Sequence, residues 1–233
     1  MEIKTQPLVS IGMPVYNGEK TIERALDGLI AQDYSNLEVI ISDNASTDAT
    51  EEICKRYAQK DSRFSYNRAE KNFGAAWNFN KVLELSTADY FMWAAADDER
   101  ELSFVSACIE KLMQCPAAVV CQAYTGSYIE GRQEMLCVIH TNSLEGKTDL
   151  IDRYKETLTQ NPCMAIYGLF RSSALRKTHM LENILGADVA FVQELSIYGQ
   201  IVQVPKILFN YIGGREWKTI DEDYFVIFLK KNK

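Results

Sequence analysis

Tyr90-Phe91-Met92-Trp93-Ala94-Ala95-Ala96-Asp97-Asp98-Glu99 is an apolar run that stops abruptly in three adjacent acids. A short run without polar interruption predicts a strand buried on both faces of a sheet. The acids then fall at its carboxyl end, where open α/β sheets hold their ligands. Three neighbouring carboxylates repel one another and lose hydration at such a place. A cation between them offsets both terms, and an all-oxygen donor set suits Mg2+ or Mn2+ better than Zn2+. The same residues also read as a helix start, with Asp98 or Glu99 as its cap. Local sequence leaves both readings open.

Upstream, strands are predicted at residues 8–13, 37–42 and 64–67, and downstream at 117–124. Helical spacing fills the gaps, through Ile22, Ala25, Leu26, Leu29 and Ile30, then Ile53, Tyr57 and Ala58, then Ala76, Phe79 and Leu83, then Leu102, Val105, Ile109 and Leu112. Asn17 is placed as the cap of the first helix and Asp48 as the cap of the second. Strands alternating with helices imply an α/β fold, a three-layer α/β/α sandwich with a mostly parallel central sheet. The second half is less regular. A hairpin of residues 127–130 and 134–140 is expected around Gly131-Arg132, then a helix at 149–158, a turn at Asn161-Pro162-Cys163, a strand at 165–170, a helix at 187–198 and a strand at 201–204. Residues 224–229, before Lys230-Lys231-Asn232-Lys233, fit a strand or a helix. Their apolar run is short, so packing on the core is the preferred reading, with at most peripheral contact with a membrane surface.

The chain has 233 residues, 47% of them hydrophobic, enough for a sizeable core. No repeat or linker divides it, so residues 1–233 are read as one domain. A net charge of -7 disfavours a nucleic-acid groove, which needs clustered Lys and Arg. The six cysteines form no CxxC pair and only His140 and His179 could join them, so a structural zinc site is not expected. The polar residues 1–7 are too short for a signal peptide, and no run approaches the roughly 20 apolar residues that span a bilayer.

Several stretches, in order, resemble family 2 glycosyltransferases, which have the GT-A fold. Val9-Ser10-Ile11-Gly12-Met13-Pro14-Val15-Tyr16-Asn17 looks like the family's opening strand and turn. Asp43-Asn44-Ala45-Ser46-Thr47-Asp48-Ala49-Thr50 looks like its D-x-S-x-D-x-T segment, Asn72-Phe73-Gly74 with Asn78 like its third element, and Ala96-Asp97-Asp98 like its metal-site acids. Gly186-Ala187-Asp188 resembles its late acidic element. Two departures stand out: Ala95 replaces a further acid, and Ala187 replaces the Glu that usually precedes the late Asp.

The resemblance implies an inverting transferase that moves a sugar from a nucleotide-sugar donor, a UDP-sugar above all, to a saccharide or lipid-linked acceptor. It implies Mn2+ or Mg2+ as cofactor, and surface polysaccharide assembly in the cytoplasm or at the inner face of the membrane. Residues 8–125 would form the nucleotide-sugar half and 126–233 the acceptor half. By the same resemblance Asp98 binds the metal, and Asp97 faces the ribose or shares the metal. Asp43 accepts from the base's ring N–H and Pro14 and Tyr16 border the ring, while Asn72 and Asn78 border the diphosphate or only fix their loop. Asp188 is the general base, with Glu194 as the next candidate, and Asn161-Pro162-Cys163 borders the acceptor. Local chemistry offers other roles: an Asx-turn with Ser46 for Asp43, a helix cap for Asp188, and a first-turn acid for Glu99. Ala95 and Ala187 favour an alternative, a non-catalytic nucleotide-sugar or carbohydrate-binding protein. A dinucleotide oxidoreductase is disfavoured because no GxGxxG follows the first strand.

Overall fold

The computed structural model describes residues 6–131, 134–140, 143–160 and 163–213. In its first half β1 (Val9–Val15), β2 (Leu37–Asp43), β3 (Phe64–Arg68) and β4 (Tyr90–Trp93) alternate with α1 (Ile22–Ile30), α2 (Thr50–Lys60) and α3 (Ala75–Glu84). The four strands lie in the order β3-β2-β1-β4, every neighbour parallel. The chain steps outward from β1 to β2 and β3, then returns to place β4 on the other side of β1. The strand order therefore reverses between β1 and β4. Helices diverge at such a point and leave a crevice at the strands' carboxyl ends.

Alternation along the strands divides the interior. Val9, Ile11 and Met13 of β1 and Met92 of β4 pack beneath Leu26 and Leu29 of α1 and Cys54 of α2. Phe91 and Trp93 face the opposite layer, with Val82 and Leu83 of α3. Trp93 is fully buried, donates its indole N–H to Phe79 O at 2.9 Å, and meets Phe91 and Phe170 edge-on. An aromatic this large dominates its layer because it removes the most apolar surface from water. At Gly12 the helix layer comes very close: a Cβ there would lie 2.6 Å from Val82 Cγ2 and 2.7 Å from Phe91 Cζ.

Beyond β4 the sheet is mixed. It continues through β8 (Leu169–Arg171), β6 (Ala118–Tyr128), β9 (Gln200–Ile212) and β5 (Glu99–Arg100), with β7 (Met135–Ile139) paired to β6 as the expected hairpin. β8 runs antiparallel to both β4 and β6, while β6 and β9 are parallel. α4 (Phe104–Gln114) covers the α1 side, and α6 (Ser172–Leu175) and α7 (Ala187–Tyr198) cover the α3 side. α5 (Leu150–Thr159) carries Arg153, whose guanidinium bonds Ser196 O and Ile197 O at the end of α7.

Four expectations are corrected. Residues 165–170 are not one strand: Cys163–Tyr167 is a 3-10 turn and only Leu169–Arg171 pairs. The buried apolar run mimics a strand, but Gly168 N–H closes a turn onto Ala165 O. Glu99 is not in a first helical turn; it pairs with Asn210 in the β5–β9 ladder, and α4 begins at Phe104. The last strand extends through Pro205 to Ile212, because register shifts against β6 at Ala123 and Tyr124 absorb the proline. Neither expected cap holds its position: the N-cap of α1 is Thr21, not Asn17, and that of α2 is Ala49, not Asp48. Residues 224–229 and the turn residues 161–162 lie outside the described residues. No described helix is long and apolar enough to cross a membrane.

Candidate active site

The loop after β1 is fastened to the loop after β2. Asn17 N–H donates to Ser46 Oγ at 2.9 Å, and Thr47 N–H returns a bond to Asn17 Oδ1 at 2.8 Å. Gly18 N–H donates to Thr50 Oγ1 and Glu19 N–H to Asp48 Oδ2, while Ala49 N–H donates to Glu19 Oε2. Asp48 Oδ1 also accepts from Thr50 N–H at the start of α2. Asn17 and Ala45 take positive φ values of 53° and 61° at the two bends. Residues of the D-x-S-x-D-x-T segment therefore act as fasteners. Asp43 is one of them: its Oδ1 accepts Ser46 N–H at 2.8 Å, the Asx-turn anticipated above. Its Oδ2 accepts from Tyr66 Oη at 2.7 Å and Arg68 at 2.6 Å, and the residue is fully buried. Burial first, then the bond to Asp43, pushes the Tyr66 phenol well above its usual range.

Pro14, Tyr16 and Asn72 come together. With Val15, Asn44 and Asn78 they line a cleft of about 270 Å3 closed by Gly74, Ala75 and Phe79. Gly74, at φ 92°, lets the chain turn into α3 from Asn72. Asp43 stands behind this cleft and is not among the residues lining it.

Asp97 and Asp98 sit just past the end of β4, in the turn to β5. Neither caps a helix, since the N-cap of α4 is Ser103. Asp98 is 3% exposed and its Oδ1 accepts Ile212 N–H at 2.9 Å, so the end of β9 holds it in place. Burial pushes its carboxyl up to about 7, against the opposing effect of that N–H. Asp97 is exposed, and its main-chain carbonyl accepts from Arg24 at 2.9 Å. Arg24 also sits 2.8 Å from Glu99 through Nε, an ion pair without hydrogen-bond alignment, and 3.0 Å from Glu130. Arg100, buried beside Asp98, donates to Trp93 O at 2.6 Å. Sequence reasoning missed both arginines, because their contacts cross strands and helices that no local pattern joins.

The opposite wall comes from the second half. Burial, then negative charge on Asp98 and Asp97, raises the phenols of Tyr167 and Tyr211. Tyr211 also feels Cys163, and Cys163 feels Asp188; burial and that carboxylate push the thiol up to about 11. Asp188 is thus linked to the acid pair only by way of Cys163 and Tyr211. It lies in the first turn of α7, whose N-cap Gly186 has φ 75° and no side-chain bond. Among the described residues no hydrogen bond or ion pair holds its carboxylate. Glu194, by contrast, is engaged: it lies 2.7 Å from His179 Nδ1 and accepts His179 N–H.

The family model described as glycosyl transferase family 2 matches residues 10–177, the β1-to-α6 core that carries the cleft and the acid pair. The chain belongs to that family. Among the relatives of this family 2 chain, the putative teichuronic acid biosynthesis glycosyltransferase TuaG of Bacillus subtilis is 32% identical over 120 residues, covering 52% of this chain and 48% of TuaG. The chain spans between 16% and 68% of the length of eight curated relatives that it matches, and less than half of seven of them. S. aureus TarS in complex with UDP-GlcNAc superposes with a TM-score of 0.69 at 18% identity, over 92% of this chain and 61% of that one. The mannosyltransferase PcManGT from Pyrobaculum calidifontis, in complex with GDP-Man and Mn2+, gives 0.65 at 18% identity, over 89% and 57%. The family 2 chain shares the GT-A fold of these proteins.

The donor set at Asp97 and Asp98 fits a hard divalent cation: two adjacent carboxyl groups and no sulfur or imidazole. Among the described residues no cluster of three or more His, Cys, Asp or Glu could hold a metal alone. Two carboxylates with the remaining positions left to phosphate and water is how Mg2+ is commonly held.

Proposed function

We propose that this chain is an inverting glycosyltransferase that uses a nucleotide-sugar, a UDP-sugar above all, and a divalent cation, Mn2+ or Mg2+. The observation that supports the reading is a small cleft at the ends of β1 and β2, with an adjacent pair of acids past the end of β4 and, in the first turn of α7, a carboxylate with no hydrogen bond among the described residues. The bound complexes of TarS and PcManGT support the donor class and the cation.

Pro14 and Tyr16 border the base, and Asn72 the diphosphate. Asp97 and Asp98 hold the cation, with Asp97 also within reach of the ribose. A cation there supplies positive charge to a leaving diphosphate, an effect worth most in the transition state. Asp188 takes the proton of the acceptor hydroxyl. The freed oxygen pair attacks the anomeric carbon, the bond from that carbon to the phosphate oxygen breaks, and the diphosphate leaves with its electrons. A single displacement inverts the configuration. Residues 8–125 serve the donor and 126–233 the acceptor. The acceptor is a saccharide or lipid-linked sugar of a surface polysaccharide; TuaG supports that class.

Asp188→Asn tests the assignment. It preserves volume and cannot accept the proton. kcat is expected to fall by about 10² or more with donor affinity unchanged. Transfer and UDP-sugar affinity are measured on one preparation with a panel of glycoside and lipid-linked acceptors. Transfer at the parental rate would remove Asp188 from the chemistry. Slow Mn2+-dependent donor hydrolysis by the parent separates an enzyme from a binding protein.

A further inference from the structure

Arg24 stands in the first turn of α1, where the helix dipole disfavours a cation. Three acceptors from other parts of the chain hold it there. Its Nη2 donates to Asp97 O at 2.9 Å, in the turn past β4. Its Nη1 donates to Glu130 Oε1 at 3.0 Å, in the loop between β6 and β7, and its Nε lies 2.8 Å from Glu99 of β5. A planar guanidinium serves three directions at once; an ammonium on a flexible stem does not. Exposed ion pairs such as those with Glu99 and Glu130 contribute little by themselves. The bond to Asp97 O is of another kind, since that oxygen belongs to the planar peptide joining Asp97 to Asp98. Fixing it sets the plane from which both side chains depart. The turn is then held from two sides, by Arg24 at its main chain and by Ile212 N–H at Asp98 Oδ1. The charge of Arg24 also favours the ionised form of both acids, against the desolvation that raises them.

Resting on the reading of Asp97 and Asp98 as the cation's ligands, we infer that Arg24 is the positioning residue of the acid pair: it fixes the peptide between the two acids, so that they are held in one arrangement before a cation arrives. Its role runs through Asp97 O and requires no contact with nucleotide or cation. Outer partners of metal ligands typically decide about 10–100-fold in metal affinity. By charge alone Arg24 would act the other way, because it repels a second cation nearby. Position and charge therefore predict opposite signs when the side chain is neutralised.

The test is calorimetry of UDP with and without Mn2+ on the parent, Arg24→Lys, Arg24→Gln and Glu130→Gln. The parent is expected to gain about tenfold or more in UDP affinity from Mn2+. Arg24→Lys keeps the charge and loses the fork. It should bring the two affinities within about threefold, by weakening UDP with Mn2+ and leaving metal-free UDP as in the parent. Arg24→Gln should lose as much of the gain; if it does not fold, Arg24→Lys carries the comparison. Glu130→Gln leaves the bond to Asp97 O in place and should keep the parental gain. A gain that rises in Arg24→Gln would mean that charge outweighs position, and overturns the inference. So does a lower melting temperature with the parental gain in both Arg24 variants, which is what an ion pair that only braces the fold would give. In either case the metal reading stands if Asp98→Asn abolishes the gain. If the parent binds UDP equally with and without Mn2+, the metal reading falls and the inference falls with it.

Discussion

At the scale of a single residue, Asp98 is held where its charge is least comfortable. Unfolded, its carboxyl titrates near 3.9; folded, burial moves it to about 7. Between those pH values the native state keeps a proton that the unfolded chain releases. This contribution to stability is full below pH 4 and is lost as pH rises through 7. Metal works in the opposite sense, because a cation needs the carboxylate ionised. Mn2+-dependent binding of UDP is therefore expected to strengthen as pH passes from 6 to 8, while metal-free melting temperature declines over pH 4 to 7. Asp98→Asn keeps an acceptor for Ile212 N–H and removes the charge. It should melt without that decline and bind UDP with no Mn2+ dependence. Melting curves and calorimetry across this range, with and without Mn2+, check both; a variant that keeps the dependence would take Asp98 out of the metal site.

At the scale of elements, α5 and α7 depend on one another. Arg153 is buried, and its donors reach Ser196 O, Ile197 O and Thr148 O. A guanidinium at the end of α7 answers the carbonyls that a helix leaves unpaired and the negative end of its dipole. Arg153→Met keeps much of the stem and strands those carbonyls. A loss of about 2–3 kcal/mol in urea unfolding is expected, with the m-value unchanged. α5 and α7 were both legible, as helices at 149–158 and 187–198, because helical signals are local. Their partnership was not, and neither was β5, a two-residue strand that exists only because Asn210 and Phe209 pair with it. The turn at Cys163–Tyr167 was misread for a related reason: a buried apolar segment looks the same in a strand and in a tight turn.

At the scale of the whole molecule, two apolar layers grip one sheet, and at Gly12 Val82 of α3 presses directly on β1. Gly12→Ala would drive a methyl into Val82 and Phe91, both fully buried and with little room to yield. A destabilisation of about 1–3 kcal/mol is expected by thermal or denaturant unfolding. An unchanged midpoint would mean the layers can separate at no cost. The α/β alternation and a mostly parallel sheet could be read ahead of the structure, since each strand and helix announces its own period, whereas the order β3-β2-β1-β4 comes from the structure. The mixed continuation through β8, β6, β9 and β5 could not, because antiparallel partners there are far apart in sequence. The place of the acids past β4 was legible, while local sequence left a helix cap and a metal site both open.

The bonds between the loops after β1 and β2 also bear on time. Asn17, Ser46, Thr47, Asp48 and Thr50 settle their geometry while the chain folds. A ligand reaching the cleft beside these loops then meets a backbone already fastened by those bonds, so capture waits on collision and orientation more than on a loop taking shape.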